Sequence, residues 1–107
     1  MWQTEQRTPI VERAAVALTA LLLPKLLPGG DMHVTRIGER ADYWLPGLRC
    51  ALEVSGTEHA RELSRRHREK VGQLLSNPLR WPGYVVICCF GRSRRLIRWS
   101  YHQHEGG

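Results

Sequence analysis

The stretch ADYWLPGLRCALEVSGT, residues 41–57, sets two carboxylates, Asp42 and Glu53, in a largely apolar run broken by Pro46-Gly47. Apolar, β-branched and aromatic residues on both sides of a Pro-Gly signal predict a β-hairpin. Residues 41–45 form one strand, 46–48 a tight turn and 49–54 the next strand. With Gly47-Leu48 as a two-residue loop, Trp44 faces Ala51 and Asp42 faces Glu53. Directly opposed side chains have β-carbons roughly 4.5–5.5 Å apart. Two carboxylates that close repel unless a cation stands between them or one keeps its proton. A divalent, oxygen-preferring cation, Mg²⁺ or Mn²⁺, suits the pair. The competing reading is a solvated face on which the acids pair with Arg40 or Arg49. By strand alternation Ser55 shares a side with Glu53.

Working outward, residues 8–27 read as a helix. Thr8 caps it, Pro9 suits its first turn, and apolar residues recur at Ile10, Ala14, Leu18, Leu21 and Leu22. Pro24 kinks or ends it, and Pro28-Gly29-Gly30 stops it. Its broad apolar stripe implies burial against a sheet. Residues 32–37 read as a strand, followed by a turn at Gly38-Glu39. Ser55 and Glu58 have capping-box spacing, so a second helix is expected from Glu58 to about Ser76, ended by Asn77-Pro78. YVVICCF, residues 84–90, is a continuous apolar run, as in a central strand covered on both faces. Residues 91–94 turn the chain. Residues 96–101 alternate, with Ile97, Trp99 and Tyr101 on one face. The fold class is α/β: helix, three-strand meander, helix, two strands, with a mixed sheet flanked by helices. The chain reads as a single domain, 1–107, with its core at 8–101 and a frayed tail at 102–107.

At 107 residues this is one small domain, which a second copy would help to stabilise. The formal net charge of +6 favours an acidic partner, nucleic acid first. The three cysteines, Cys50, Cys88 and Cys89, are odd in number and two are adjacent, which suits a reducing, cytoplasmic setting. The apolar run at 14–23 is too short to span a bilayer and lacks the flanks of a signal peptide, so no membrane is expected.

The order helix, three-strand meander, helix, strand, with acids on the second and third strands, resembles the PD-(D/E)XK (restriction-endonuclease-like) nuclease superfamily over residues 8–90. Asp42 stands for the family's Asp, and Glu53-Val54 for the start of its acid-x-Lys. Glu12, in TPIVERAAV (8–16), matches the metal-binding Glu that some members carry in the first helix. The resemblance implies divalent-metal-dependent phosphodiester hydrolysis, an endonuclease activity, with Asp42, Glu53 and Glu12 as metal ligands. Ser55 stands where the family has lysine. Some members move a catalytic residue into the following helix, and Lys70 is the candidate for that role. A chain that has lost the lysine outright would be a catalytically inactive subunit acting in nucleic-acid binding or complex assembly.

The second helix buries Ala60, Leu63, Val71, Leu74 and Leu75, and polar groups interrupt that face. His67 lies near its middle, Lys70 on its edge, and Gln73 further round. Either His67 is satisfied inside the core, or it and Lys70 face a polar cavity. Lys70 either snorkels at the helix edge or supplies the missing cation beside Glu53. Ser55, His67 and Gln73 are accessory candidates. Arg61, Arg65, Arg66 and Arg68 are expected on the opposite face, with Arg92, Arg94 and Arg95 in the turn GRSRR. Clustered arginines suit nucleic-acid phosphates, and the partner expected is DNA ahead of RNA. His102-x-His104 lacks the paired spacing of a zinc site, and no G-x-S-x-G elbow marks a serine hydrolase.

Overall fold

The computed structural model describes residues 2–37 and 40–104. It is α/β: α1 (Trp2–Leu26), β1 (His33–Ile37), β2 (Arg40–Leu45), β3 (Cys50–Thr57), α2 (Leu63–Leu75), β4 (Gly83–Phe90) and β5 (Arg95–His102). Short 3-10 turns occupy Pro46–Leu48 and Ala60–Glu62. The sheet order follows the chain, β1-β2-β3-β4-β5. Every pair is antiparallel except β3 and β4, which run parallel from Ala51↔Gly83 to Thr57↔Cys89. A parallel pair needs a crossover, and α2 provides it. Among the described residues no helix is long and apolar enough to cross a membrane.

The two helices cover opposite faces of β3 and β4. Ala15 and Leu23 of α1 pack with Leu45, Cys50, Leu52, Val54, Val86 and Cys88. Leu63 and Leu74 of α2 pack with Ala51, Val85, Ile87 and Cys89. The run expected to be a central strand is therefore buried on both faces, and adjacent Cys88 and Cys89 point to different cores. All three cysteines are free thiols. Burial pushes the Cys50 and Cys88 thiols up from the ordinary range.

Four boundaries differ from the sequence expectation. First, α1 begins at Trp2, so Thr8 and Pro9 lie inside it rather than at its start. The stripe it buries is centred on Ala15, Thr19 and Leu23, while Ile10 and Leu21 are exposed. Apolar residues occur nearly all round this helix, so periodicity alone did not choose the face. Second, the 46–48 turn is part of a four-residue connection closed by Leu45↔Cys50. It shares its centre with the expected two-residue loop, so Trp44 still faces Ala51. Arg49 takes the left-handed conformation, φ 53°, and donates its N–H to the Pro46 carbonyl at 3.1 Å. Third, Ser55 is a buried strand residue and caps nothing, because parallel pairing carries β3 on to Thr57. Thr57 marks the turn instead, its Oγ1 accepting from the His59 N–H at 3.0 Å. Fourth, β5 runs to His102, one residue into the expected tail, and His102 pairs with Gly83. The Gly38-Glu39 turn and the end of the tail, 105–107, lie outside the described residues.

On β5, Ile97, Trp99 and Tyr101 share a face and stay largely exposed. Tyr84 of β4 stacks on Trp99, with ring centroids 5.7 Å apart. This aromatic strip lies beside α1, not under it.

Candidate functional site

Beyond Tyr43↔Leu52 the ladder between β2 and β3 stops. From there β2 follows β1, with Thr35↔Asp42, while β3 follows β4, with Glu53↔Val85. The strands part at the point where the two acids stand, one step past the last pair. Asp42 and Glu53 line one cavity of about 330 Å³ with Trp44, Glu69, Gln73 and Asn77. Its far wall is the C-terminal half of α2. Asn77 fixes that end by donating to the Leu74 and Trp81 carbonyls and accepting the Trp81 N–H. Trp81 then meets Trp44 edge-on, at 5.7 Å between centroids.

Lys70 of α2 stands beside this cavity without lining it. Its Nζ lies 3.7 Å from Glu53 Oε1 and donates to Gln73 Oε1 at 3.1 Å. Both side chains of the ion pair are under a quarter exposed, so the pair is screened less than a surface one. Through Glu53 and Gln73, Lys70 is linked to the cavity that Asp42 also lines.

Glu12 and Ser55 belong to a neighbouring network at the uncovered edge of β3. Glu12 Oε1 accepts the Ser55 hydroxyl at 3.2 Å and the Gly56 N–H at 3.1 Å. Arg66 Nη1 stands 3.2 Å from Ser55 Oγ and 3.4 Å from Glu12 Oε1. Its Nε lies 3.6 Å from Glu62, which accepts the Thr57 hydroxyl. That hydroxyl, then Arg66, Arg65 and His59, hold the Glu62 carboxyl below the usual carboxylate range against the opposing effect of burial. The helix can come this close only because residue 56 is glycine. A β-carbon there would stand 2.6 Å from the Val11 carbonyl oxygen.

His67 faces β5 rather than the acid cavity. Its Nε2 hydrogen-bonds Ser100 Oγ at 2.8 Å, and Ser100 Oγ bonds His102 Nε2 at 2.7 Å. Burial first, then the charges of His102 and Arg98, lower its pKa. Of the two readings offered by the sequence, the satisfied histidine is the one observed.

The arginines divide into four groups. Arg66 is half-buried in the network above and does not share an exposed face with the others, because Glu12 and Ser55 draw it inward. Arg65 is exposed but bonded to Glu62 and Glu69, each at 3.0 Å. Arg61 sits in the 3-10 turn ahead of α2, and with Arg92 and Arg94 it lines a groove of about 680 Å³. Arg68 and Arg95 are exposed.

Sequence reading missed Glu62, Thr57 and Asn77 as organising residues. Thr57 and Glu62 stand five apart, and their link depends on a strand end that the apparent capping box at Ser55 concealed. Among the described residues, no three His, Cys, Asp or Glu side chains converge as a metal-binding group. The carboxylates that share a cavity are Asp42, Glu53 and Glu69 of α2, the last turned to Arg65. No protein-family model matches the chain, and no curated protein or solved structure matches it either.

Proposed function

We propose that the chain is a PD-(D/E)XK-like domain, restriction-endonuclease-like in its core, that binds nucleic acid and hydrolyses phosphodiesters at the cavity between β2, β3 and α2. One observation carries the reading: Lys70 Nζ lies 3.7 Å from Glu53, which lines a cavity together with Asp42. Two oxygen-donor side chains one step past the end of a ladder suit Mg²⁺ or Mn²⁺, which retain several waters and need few protein ligands. Asp42 and Glu53 would hold the ion. Glu12 would serve only if released from Ser55, Gly56 and Arg66. When bound, such a cation polarises a phosphoryl oxygen and lowers the pKa of a coordinated water.

The chain's own groups do the rest. The Lys70 ammonium stabilises the negative charge that grows on the phosphoryl oxygens as water adds to phosphorus. The ester P–O bond breaks, leaving a hydroxyl on one product and a phosphomonoester on the other. Gln73 holds Lys70 toward the cavity. Exposed arginines, among them Arg68 and Arg95, contact backbone phosphates, and a second copy of the domain would extend the grip along DNA.

A second reading, a catalytically inactive subunit acting in binding or assembly, has support in Ser55. That residue is buried against Glu12 and Arg66 and offers no cation to the acids. Incubation with supercoiled plasmid and a Mg²⁺ or Mn²⁺ series separates the two. Nicking that needs the metal and disappears in Asp42→Asn and Glu53→Gln supports hydrolysis. No cleavage by the wild type at any metal concentration, with DNA still bound, selects the inactive subunit.

A further inference from the structure

β3 and β4 run parallel and end side by side at Thr57 and Phe90. The segments that leave the carboxyl ends of these two strands converge and enclose a crevice. That crevice is the 680 Å³ groove, walled by Glu58, His59 and Arg61 after β3 and by Phe90, Arg92 and Arg94 after β4. The volume is in the range of a small-molecule site, roughly 300–1,000 Å³.

Both walls are fixed by the chain. The Thr57 hydroxyl holds the His59 N–H on one side. On the other, the Cys89 thiol donates to the Arg94 carbonyl at 3.4 Å and closes the 91–94 turn. Gly91 lets the walls meet, since a β-carbon there would lie 2.9 Å from the Glu58 carbonyl oxygen. Among the described residues Arg61, Arg92 and Arg94 enter no ion pair. Arg61, Arg92, Arg94 and His59 line the groove together with one acidic residue, Glu58. Guanidinium forks match phosphate oxygens in pairs. Phe90, partly exposed at the rim, offers the ring on which a base can stack.

We propose that this groove is a binding pocket for a phosphorylated nucleotide, either a free mononucleotide or the 5′-phosphorylated end of a strand. Arg61, Arg92 and Arg94 take the phosphate and Phe90 takes the base. The pocket is separate from the acid–lysine cavity, and its occupancy does not require hydrolysis there.

The test is fluorescence anisotropy of a labelled 5′-phosphorylated trithymidylate, in EDTA at low salt, so that metal-dependent cleavage does not enter. The phosphorylated strand is expected to bind at least tenfold more tightly than its unphosphorylated counterpart. Arg92→Ala/Arg94→Ala is expected to remove that difference, and Arg13→Ala/Arg36→Ala, with the same change in charge at exposed sites elsewhere, to keep it. Competition by AMP identifies a mononucleotide pocket; competition only by phosphorylated strands identifies a strand-end pocket. Equal binding of the two strands, or an equal loss in both double variants, overturns the proposal. Inorganic phosphate competing as well as AMP does also, because the base would then contribute nothing. Failure here leaves the plasmid assay unaffected, and the reverse holds.

Discussion

Lys70 Nζ lies 3.7 Å from Glu53 Oε1, tying the second half of α2 to the middle of β3 where β2 turns away. The pair is partly exposed, so its share of folding stability is small, about 1 kcal/mol or less. Its weight in hydrolysis is expected to be far larger. Lys70→Ala should lower metal-dependent plasmid nicking by about 100-fold or more while moving the urea midpoint little. A double-mutant cycle with Glu53→Gln, read by urea unfolding, measures the stability coupling apart from the activity. A cleavage rate unchanged in Lys70→Ala would remove the lysine from the reaction.

A lysine placed at residue 55 is not expected to supply the acids with a cation. Ser55 is fully buried, with Arg66 Nη1 3.2 Å from its hydroxyl. Ser55→Lys sets a second cation against the first and should cost about 3 kcal/mol. Ser55→Ala, which loses the hydrogen bonds to Glu12 and from Arg66, should cost less, about 1–2 kcal/mol. Adding Arg66→Ala to Ser55→Lys should recover part of the loss. Equilibrium denaturation of the three variants beside the wild type checks the order, and a stable Ser55→Lys single variant would contradict it.

Two glycines give opposite outcomes for the same substitution. At Gly56 a new β-carbon would stand 2.6 Å from the Val11 carbonyl oxygen and 3.1 Å from the Ala15 β-carbon. Gly56→Ala must push α1 off the sheet and should destabilise by about 2–3 kcal/mol. At Gly72, inside α2, no atom lies within 4 Å of the new carbon. Gly72→Ala should stabilise by about 1 kcal/mol through helix propensity. Thermal melts of the two variants should move in opposite directions.

His67 makes stability depend on pH near neutrality. Its pKa in the folded state is lowered from 6.5 by burial, His102 and Arg98. The folded state then binds fewer protons than the unfolded state, so stability rises with pH in that window. The contribution is complete above about pH 6.5 and is lost as pH falls through the depressed folded-state value. Glu62, also lowered, adds a second loss below its ordinary 4.5. His67→Gln retains a hydrogen-bonding group for Ser100 but does not titrate. It should flatten the limb that begins below about pH 6.5 in a series of urea midpoints, leaving the Glu62 limb in place.

The sequence carried the sheet and the facing of the hairpin, because alternation and a Pro-Gly signal are local. Trp44 opposite Ala51 depended on the centre of the turn and survived an error in its length. Ser55 was misread because a capping box and a strand ending in Ser-Gly-Thr look alike over four residues. Only the parallel partner, β4, tells them apart, and it lies some thirty residues further along the chain. The buried face of α1 was unreadable for a related reason: Gly56 decides it, and Gly56 belongs to another element. At the site, Lys70 and Gln73 could be chosen from helical spacing. The diversion of Arg66 to Glu12 could not, since those residues are 54 apart.

Sheet order that copies chain order has a kinetic meaning. Three of the four pairings between neighbouring strands are made through a short connection, so most of the loop-closure entropy is small. The exception is the step from β3 to β4, which must wait for α2 to cross. Folding of this chain should therefore be limited by that one closure. A pair of halves cut between Asn77 and Trp81 would each keep a hairpin intact, leaving the β3–β4 seam to form by association.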